Sequence, residues 1–492
     1  MPGASPACQK PTPLTATESR LRPALTQSKA VSAVLPHFVT PDNMVLLTDL
    51  YELTMAASYH EHGPNDRATF DLFVRTLPPQ RSYLMFAGLD QALFYLTHLS
   101  VGSDSIRYLR STGLFLPSFL ASLRTLRFRG DLDAMPEGTV FFPHEPVLRV
   151  TANIIEAQIV ETFLLNAVNV QSLIATKACR VLEAAAGRPV VEFGLRRAHG
   201  MDAGLKGARA AYLAGCAGSS NVLAGRLYGI PVFGTMAHAF VQSFPSEMEA
   251  FQAFTTTFPK GTTLLIDTYD TLAGARRAAR VAQDLARHGN RLGGVRLDSG
   301  DLIALSRQVR RLLDARRLRR VKIFATGNLT EQRIMEIVAR GAPIGAFGVG
   351  TDLSVSADAP SLDVVYKMSE VVRAGKTMPT LKLSAHKQTY PGRKQVYRVE
   401  RRGRLVEDIL ALEGESVPGR PLLVPVLRKG RLVRRLPSLS AIRRHAAAEQ
   451  ARLPSNLRGL EESAIYPVRI SPGLQRLTEA CRRALERAQR NE

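Results

Sequence analysis

The chain has 492 residues and a formal net charge of +22, from 65 Lys and Arg against 43 Asp and Glu. Apolar residues make up 45% of the chain and charged residues 22%, which are values of a globular protein and exclude a wholly disordered chain. Its cysteines are Cys8, Cys179, Cys216 and Cys481. Their scatter excludes a disulfide framework and a Cys-rich metal site, so we expect no protein-held metal and a reducing, cytoplasmic location.

The basic balance, with an isoelectric point near 10.3, admits two classes of partner. One is a nucleic acid, whose phosphates would bind Lys and Arg, and the other is a set of small polyanionic substrates of an enzyme. Aromatic residues do not interleave with the arginines near the C-terminus, and the sequence has no nucleic-acid-binding motif. We therefore expect no nucleic-acid partner and keep nucleic-acid binding as the non-enzyme alternative.

Two segments bear on targeting. Residues 1–40 are rich in Pro, Ala, Thr and Ser, carry Glu18 as their only acid and show no apolar periodicity. This composition predicts a disordered extension, although an organelle transit peptide is also acid-poor. The most apolar stretch, residues 154–175, is interrupted by Glu, Gln and Asn side chains, so we expect no membrane-spanning helix and no membrane partner.

The first ordered region is predicted to be an N-terminal α+β domain over residues 42–150. It has apolar residues at helical spacing over 46–57, an alternating strand-like run over 68–75 and a small β region between 128 and 150. Residues 151–187 then predict one or two long helices.

A repeating pattern begins near residue 188. Short β-branched or apolar runs alternate with helical segments, as in the βα units of a parallel sheet. The runs are 190–194, 231–235, 263–267, 294–298, 321–326 and 344–349. With further strands expected near Asn221 and Val364, they predict an irregular (β/α)8-type barrel over residues 151–380 rather than an open doubly wound sheet. The basic segment 381–492 is predicted to rejoin the N-terminal domain in part, so the expected fold class is α/β with a second α+β domain built from both terminal segments.

Polar residues at the carboxyl ends of the predicted strands would meet at the mouth of the barrel, where such folds carry their active sites. The group is rich in cations and hydrogen-bonding side chains: Glu192, Arg196, Arg197, Ser219, Ser220, Asn221, Thr235, His238, Asp267, Arg296, Asp298, Asn328, Gly350 and Thr351. This composition favours the binding and activation of phosphates over the abstraction of carbon-bound protons.

Two motifs at the mouth each admit a structural and a functional interpretation. Gly348-Val-Gly-Thr351 is either an ordinary tight turn or a loop whose backbone N–H groups and Thr351 hydroxyl bind a phosphate. Asp298 either caps the next helix, as could Ser299, or accepts hydrogen bonds from two adjacent hydroxyls of a sugar. Arg296 lies on the same side of its strand as Asp298. An arginine that faces a barrel interior needs an anionic partner, which favours the functional interpretation.

Three further basic features also admit both a structural and a functional interpretation. His238 is either a structural histidine or a nucleophile that accepts a phosphoryl group. Arg196 and Arg197 either begin a helix or clamp a pyrophosphate. A basic cluster around Pro391-Gly392 forms either a charged hairpin surface or a lid over polyphosphate. It comprises Lys382, Lys387, Arg393, Lys394 and Arg398.

These motifs occur together in one known family. In chain order they are Thr48-Asp-Leu-Tyr-Glu-Leu-Thr-Met55, Glu192-Phe-Gly-Leu-Arg-Arg197, Gly234-Thr-Met-Ala-His238, Val295-Arg-Leu-Asp-Ser-Gly-Asp-Leu302, Gly348-Val-Gly-Thr351 and Pro391-Gly-Arg-Lys-Gln-Val-Tyr-Arg398. Over residues 42–400 the chain resembles the nicotinate phosphoribosyltransferases, members of the type II phosphoribosyltransferase superfamily.

The resemblance implies a reaction that joins nicotinate to 5-phosphoribosyl 1-pyrophosphate, giving nicotinate mononucleotide and pyrophosphate in NAD biosynthesis. It implies that ATP is a cosubstrate in a ligase-type reaction and is hydrolysed through a transient phosphohistidine. It also implies that Mg²⁺ accompanies pyrophosphate or ATP, and that the enzyme is a homodimer with shared active sites.

The resemblance further assigns roles to residues of this sequence. His238 would be the phosphorylated histidine, Asp298 would hold the ribose, and Arg197 would lie near the ring or the pyrophosphate. The substrates would also contact Tyr51 at the pyridine ring (from the same or the partner subunit), Thr235 and Arg296 at nicotinate, Gly348, Gly350 and Thr351 at the 5-phosphate, and Asn328 and Lys394.

Nicotinamide phosphoribosyltransferase is the nearest alternative. In that family an Asp, able to accept hydrogen bonds from the amide, lies in the segment that corresponds to residues 218–221, which contain no acid here. This favours nicotinate, with Arg296 facing the carboxylate. Quinolinate phosphoribosyltransferase is less favoured because it is shorter and lacks the Tyr51 segment. His238 is followed by Ala-Phe, so the sequence does not identify the group that orients its imidazole.

Overall fold

The repeating half of the chain folds into a parallel sheet. In the computed structural model, which describes residues 39–63, 66–383 and 389–491, this sheet has six strands. In spatial order they are Gly218–Ser219, Val190–Glu192, Ala346–Val349, Lys322–Ala325, Gly294–Leu297 and Thr263–Leu265. A parallel bridge from Ser219 to Val232 extends the row at one end. The predicted α/β class with an irregular barrel is confirmed.

Two of the eight strands predicted for the barrel are not barrel strands. The run 231–235 contributes only the bridge at Val232, since Pro231 has no N–H to donate to a ladder. The strand predicted near Val364 exists as Val364–Arg373, but it pairs antiparallel with Arg67–Val74 in a different sheet. A glycine turn and a return strand follow it instead of a helix, so it belongs to a hairpin rather than to a βα unit.

The helices of the repeating half alternate with the strands. They are Met201–Ala214, Val222–Tyr228, His238–Gln242, Glu247–Thr257, Thr271–Arg287, Leu302–Ala315, Glu331–Ala339 and Thr351–Val355. Asp270, Asp301 and Thr330 cap three of them by accepting backbone N–H groups of the first turn. The cap of Leu302–Ala315 is thus Asp301. Asp298 and Ser299, the two N-cap residues that the sequence suggests, lie before the helix and do not cap it.

The remaining residues build a second, α+β domain. Its main sheet has seven strands, in the order Lys376–Pro379, Val364–Arg373, Arg67–Val74, Leu148–Asn153, Asp131–Ala134, Val424–Arg428 and Arg431–Leu432. N-terminal and C-terminal segments meet in this sheet because Val424–Arg428 pairs with Asp131–Ala134. The predicted return of the C-terminal segment to the N-terminal domain is confirmed.

Smaller sheets and further helices complete this domain. A four-stranded sheet contains Arg420–Pro421, Lys394–Arg401, Arg404–Leu412 and Val468–Ile470, and a two-stranded one pairs Leu84–Met85 with Val140–Phe141. The helices are Leu50–His62, Leu89–His98, Ser103–Ser111, Pro117–Ser122, Ile154–Ile159 and Pro472–Asn491. The C-terminal helix Leu439–Arg452 packs instead against the barrel helix Met201–Ala214. Most of the predicted disordered extension, residues 1–38, lies outside the described residues, as does Lys387.

One long helix, Glu161–Ala184, joins the two cores. Its first half buries Phe163 and Leu164 in the second domain, and its second half buries Ile174 and Val181 in the barrel. Each such apolar side chain contributes about 1.5–3 kcal/mol on burial. The stretch Ile154–Ala184 is long and apolar enough to cross a membrane, but 72% of its most apolar part is buried inside the protein. It is therefore a core helix, as its polar interruptions predict.

Candidate functional site

Arg296 lies at the centre of the barrel mouth. Its strand, Gly294–Leu297, is flanked by Lys322–Ala325 and Thr263–Leu265, so its side chain emerges among the carboxyl ends of neighbouring strands. The guanidinium donates from Nε to Thr326 Oγ1 at 2.7 Å and from Nη1 to Thr235 Oγ1 at 2.9 Å. Nη2 donates to Asp298 Oδ1 at 2.6 Å. Of its five N–H groups, two are left for a ligand by these described contacts.

Asp298 lies between Arg296 and the only histidine predicted for the mouth. Its Oδ1 accepts hydrogen bonds from Arg296 and the Thr326 hydroxyl, while its Oδ2 lies 3.8 Å from His238 Nε2. Burial raises the pKa of Asp298, but the hydrogen bonds from Thr326 and Arg296 outweigh it and hold this pKa below its usual value. The carboxylate is therefore ionised at neutral pH and presents Oδ2 toward the imidazole and toward solvent.

His238 is the first residue of the helix His238–Gln242. Its Nδ1 lies 3.1 Å from Thr268 Oγ1, and its side chain is 41% exposed. The group that orients the imidazole, which the sequence does not identify, is thus the Thr268 hydroxyl. Thr268 directly follows Asp267 beyond the strand Thr263–Leu265, and this position at a strand end is the signal that could have found it. Its other ring nitrogen, Nε2, makes its closest described polar approach to Asp298 Oδ2, at 3.8 Å.

Asp267 fixes the turn that carries Asp298. Its Oδ2 accepts from the Asp298 N–H at 2.8 Å and from the Ser299 hydroxyl at 2.8 Å. Its Oδ1 is buried and has no hydrogen-bond partner among the described residues. The sequence predicts Asp267 at the mouth and assigns it no role. The structure adds that it supports Asp298 and retains one acceptor oxygen.

Glycines allow two mouth loops to approach their neighbours closely. A Cβ on Gly348 would lie 2.7 Å from Thr326 and 2.8 Å from Phe193. The predicted 348–351 loop consists of the last two residues of the strand Ala346–Val349, Gly350, and the first residue of the helix Thr351–Val355. Gly327 has φ +86°, and a Cβ there would overlap the carbonyl oxygen of Asp298. The 348–351 loop is thereby packed against Thr326, the same residue that contacts Arg296 and Asp298.

The structure thus brings some, but not all, of the residues predicted for the barrel mouth into contact. Thr235, His238, Arg296 and Asp298 form one contact network, and the 348–351 loop joins it through Thr326. Thr351 is exposed at the start of the helix Thr351–Val355, after Gly350. Asn328 is exposed at φ +46°, just past Gly327. Arg197 is exposed in the turn Leu195–Arg197, after the strand Val190–Glu192.

Tyr51 lies elsewhere in its own chain. It is 46% exposed on the helix Leu50–His62, which packs against Ile154–Ile159 and Pro117–Ser122 of the second domain. Burial and the nearby Glu161 raise the pKa of its phenol. The described contacts give it no neighbour among the residues of the barrel mouth.

Lys394 is not at the barrel mouth either. Its side chain is 4% exposed, and its ammonium pairs with Asp71 at 2.7 Å and donates to the carbonyl oxygens of Tyr390 and Gly392. An ammonium has three N–H groups, so these partners occupy all of them and leave none for a substrate. Arg398, from the same predicted lid, is fully buried against Asp408 and Glu449. These two cations therefore stabilise the second domain instead of covering a polyphosphate.

The segment 218–221 has structural tasks of its own. Asn221 is buried and caps the helix Val222–Tyr228 by accepting the Ala224 N–H at 3.0 Å. Ser219 donates to Glu192 at 2.6 Å, and burial raises the pKa of Glu192. Ser220 is partly exposed beside them. The segment therefore offers a partly exposed hydroxyl and no carboxylate at the mouth.

Family models match most of this chain. The nicotinate phosphoribosyltransferase (NAPRTase) N-terminal domain matches residues 46–169, the family's main model matches 189–409 and its C-terminal domain matches 417–478. The chain belongs to the nicotinate phosphoribosyltransferase family. The resemblance drawn from the motifs is confirmed, and it extends beyond residue 400 into the arginine-rich end.

Individual relatives agree with this membership. The nicotinate phosphoribosyltransferase pncB2 of Mycobacterium tuberculosis is 50% identical over 430 residues, covering 87% of this chain and 91% of its own length. The Bacillus subtilis enzyme is 42% identical, over 73% of this chain and 74% of its own. The crystal structure of human nicotinic acid phosphoribosyltransferase matches with a TM-score of 0.80 at 31% identity, over 88% of this chain and 99% of that chain.

Proposed function

We propose that this nicotinate phosphoribosyltransferase carries out its reaction at the barrel mouth, with Arg296 binding the nicotinate carboxylate. The observation that carries the proposal is the fixed guanidinium, which Thr235, Thr326 and Asp298 hold while two N–H groups stay available. A planar guanidinium binds a carboxylate with two parallel hydrogen bonds, which orients the ligand as well as attracting it. The pyridine nitrogen would then point away from Arg296 toward the centre of the site.

The transfer itself forms one bond and breaks one. The pyridine nitrogen bonds to C1 of the ribose as the bond from C1 to the pyrophosphate oxygen breaks, and the leaving group departs as pyrophosphate. Positive charge develops on the ribose, as in an oxocarbenium ion. Asp298, kept ionised by its neighbours, would accept hydrogen bonds from the ribose hydroxyls and stabilise that charge electrostatically. Arg197 and the 348–351 loop would hold the pyrophosphate and the 5-phosphate, respectively.

We further propose that ATP hydrolysis is coupled to this transfer through His238. Nε2 would attack the γ-phosphorus of ATP, the bond to the bridging oxygen would break, and ADP would leave. Water would later cleave the phosphohistidine and release phosphate. The exposed Nε2 and the contact of Nδ1 with the Thr268 hydroxyl support this role, because they present the nucleophilic nitrogen in one orientation.

Magnesium is proposed to arrive with the polyphosphate substrates. No group of three or more His, Cys, Asp and Glu that could hold a metal occurs among residues 39–63, 66–383 and 389–491. Mg²⁺ in phosphate sites commonly uses one or two carboxylates together with substrate oxygens, and Asp298 with the partner-free Oδ1 of Asp267 fits that donor set. When bound, the ion would offset negative charge on the leaving pyrophosphate.

Nicotinate is favoured over nicotinamide for two reasons in this structure. The free N–H groups of Arg296 suit a carboxylate, whereas an amide NH2 needs an acceptor. The segment 218–221 supplies no carboxylate, and Asn221 is occupied as a helix cap.

An interaction with nucleic acid is not favoured, because several arginines of the basic end act internally. Arg443 donates to the carbonyl oxygens of Tyr212, Gly215 and Cys216, and Arg404 donates to those of Ala451 and Leu453. We also propose a cytoplasmic enzyme that acts in NAD salvage.

A homodimer is proposed from two sets of exposed apolar side chains. Leu47, Leu50 and Tyr51 are each more than two-fifths exposed in the second domain, and Val222, Leu223 and Val232 are comparably exposed at the edge of the barrel. Exposed clusters of this kind mark interaction surfaces. A partner subunit that covers the barrel edge would bring its own Tyr51 to the pyridine ring, which this chain's Tyr51 does not reach.

The deciding experiment measures pyrophosphate release by the purified full-length chain with 5-phosphoribosyl 1-pyrophosphate and either nicotinate or nicotinamide, each with and without ATP. We expect release with nicotinate, stimulated by ATP, and little release with nicotinamide. Preference for nicotinamide would reverse the substrate assignment, and an ATP-independent rate would remove the coupling role of His238.

A further inference from the structure

A buried lysine contacts three carboxylates beneath the barrel mouth. Lys177 lies on the core helix Glu161–Ala184, and its side chain is 1% exposed. Its Nζ is 2.5 Å from Glu331, 2.7 Å from Asp352 and 2.9 Å from Asp358. Each carboxylate comes from a different segment: Glu331 begins the helix Glu331–Ala339, Asp352 lies in Thr351–Val355, and Asp358 lies in the chain that follows.

The cluster around Lys177 is balanced in charge. Arg180, one helical turn along the same core helix, pairs with Glu331 at 3.1 Å, and Arg81 pairs with Asp358 at 2.8 Å. Lys177, Arg180 and Arg81 thus face Glu331, Asp352 and Asp358. A buried group of charges is tolerated when each member is paired, whereas removal of one partner leaves an uncompensated charge.

One member of this cluster is joined directly to the 348–351 loop. Asp352 follows Thr351, the last residue of that loop, and it is the only residue of the helix Thr351–Val355 with an ion pair in the part of the chain that the structure describes. Thr351 itself is exposed. The ion pair from Lys177 to Asp352 therefore links the exposed end of this loop, at Thr351, to a helix buried in both cores.

We propose that Lys177 is a positioning residue for the phosphoribosyl substrate: it holds the 348–351 loop through Asp352 and neutralises this carboxylate beside the bound 5-phosphate. The inference rests on the proposed function, in which that loop binds the 5-phosphate. An uncompensated carboxylate next to a phosphate would repel it, and an untethered loop would lose conformational entropy on binding. Loss of Lys177 weakens phosphate binding through both effects.

Arg180 provides a matched control for Lys177. Both are buried cations of the same helix, and both pair with Glu331, but Arg180 bonds otherwise to the carbonyl oxygens of Gln80 and Leu460 and does not contact Asp352. Lys177→Gln and Arg180→Gln each remove one positive charge from the cluster. Any general effect of that loss on the fold should appear in both variants.

The test titrates ribose 5-phosphate into the full-length wild type and both variants by calorimetry. We expect the Kd to rise about tenfold or more in Lys177→Gln and less than about twofold in Arg180→Gln, while both variants melt at lower temperature than the wild type. In steady state, Lys177→Gln should raise the KM for 5-phosphoribosyl 1-pyrophosphate and leave the KM for nicotinate unchanged. Equal effects of the two substitutions on Kd, or no effect of Lys177→Gln, would overturn the proposal.

Charge-balanced double variants keep the test open if Lys177→Gln does not fold. Lys177→Gln with Asp352→Asn removes one charge of each sign and the link to the 348–351 loop, while Arg180 and Arg81 still pair with Glu331 and Asp358. Arg81→Gln with Asp358→Asn also removes one charge of each sign from the cluster but keeps the pair of Lys177 with Asp352. We expect weaker ribose 5-phosphate binding only in the first, though less weakened than in Lys177→Gln alone because no carboxylate is left unpaired. Equal affinities of the two double variants would contradict the positioning role.

Hydrogen exchange separates this inference from the proposed function. Amide exchange over residues 351–355, measured without ligand, should be faster in Lys177→Gln than in Arg180→Gln if Lys177 tethers the loop. Equal exchange rates would refute the tether whatever the loop binds. Thr351→Val tests the phosphate assignment itself, since an unchanged Kd for ribose 5-phosphate in that variant would place the 5-phosphate elsewhere and overturn the substrate role given to Lys177.

Discussion

Arg296 Nη2 donates a 2.6 Å hydrogen bond to Asp298 Oδ1, two residues further along the same strand end. The pair links the two proposed halves of the reaction, because Arg296 is directed at nicotinate and the second oxygen of Asp298 lies 3.8 Å from His238. Thr326 contacts both members and fixes their geometry. A substitution at one of these residues should therefore affect the kinetics of one substrate more than those of the others.

Arg296→Lys is expected to raise the KM for nicotinate by about tenfold to a hundredfold, because an ammonium keeps the charge and loses the two-pronged geometry. The KM for 5-phosphoribosyl 1-pyrophosphate should change far less. Steady-state kinetics with each substrate varied in turn makes the measurement. Arg310→Lys, on the outer helix Leu302–Ala315, is the control and should leave both values unchanged. A nicotinate KM equal to that of the wild type would move the carboxylate site away from Arg296.

Thr268→Val is expected to slow phosphorylation of His238 by about tenfold, since it removes the hydroxyl that holds Nδ1 and thus the imidazole's orientation. The measurement is the rate of incorporation of acid-labile phosphate from labelled ATP. His238→Ala should incorporate none and should lose the stimulation by ATP. Thr271→Val, at the start of the next helix, should label like the wild type. Labelling of His238→Ala would place the phosphoryl group on another residue.

The barrel mouth was predictable from the sequence because parallel strands present their carboxyl ends at one edge. That geometry alone brings Arg296 and Asp298 to the edge, whatever the helices between the strands contain. Thr235 joins them although its run forms only a bridge at Val232. Thr268 lies three residues past the strand Thr263–Leu265, so its place at the same edge could be predicted, but its contact with the imidazole of His238 is evident only in the folded structure.

The basic residues after 390 were misleading for a physical reason. Lys394 and Arg398 occur in a charged, glycine-punctuated segment that suggests a surface, but each is neutralised in the interior by an acid from another strand. Asp71 is far from Lys394 in sequence, so only the folded sheets show the pair. The strand Val364–Arg373 was misplaced for a similar reason, because its antiparallel partner Arg67–Val74 lies near the other end of the chain.

Glu52 should make stability depend on pH near neutrality. It is fully buried beside Tyr51, and burial raises its pKa to about 7, against about 4.3 for an unfolded chain. Between these values the folded chain keeps a proton that the unfolded chain has released, so the free energy of unfolding falls as the pH rises and levels off above pH 7. The total loss is at most about 4 kcal/mol.

Glu52→Gln should abolish that part of the pH dependence, because the amide can keep accepting the Thr162 N–H and does not ionise. Chemical denaturation of wild type and variant at a series of pH values between 4 and 8 gives the difference directly. Glu61→Gln, at the exposed end of the same helix, is the control, and its free energy of unfolding should vary with pH as that of the wild type does. Parallel curves for wild type and Glu52→Gln would show that the pKa of Glu52 is the same in the folded and unfolded chain.

Ser220→Asp is expected to shift preference from nicotinate toward nicotinamide. Ser220 is the partly exposed member of its segment, while Ser219 and Asn221 are buried and engaged with Glu192 and a helix terminus. A carboxylate there would accept from an amide and repel the carboxylate of nicotinate. The ratio of kcat/KM for nicotinate to kcat/KM for nicotinamide should fall by about tenfold or more. Ser220→Asn, which adds similar bulk without charge, should leave the ratio nearly unchanged, and a matching fall in that variant would assign the effect to size.

Shared active sites can be tested by combining two inactive subunits. If the pyridine ring is stacked by Tyr51 of the partner subunit, Tyr51→Ala and His238→Ala damage different chains' contributions to one site. Each variant alone should be nearly inactive. When both are co-expressed, half of the dimers should be mixed, and each mixed dimer should contain one site with an intact His238 and an intact Tyr51. Activity should therefore return to about a quarter of the wild type.

Pairing His238→Ala with Arg296→Ala is the control, since both residues lie in the same barrel and no intact site can form. Absence of recovery in the first mixture would place Tyr51 outside the shared site, and its exposed position on the helix Leu50–His62 would then need another explanation.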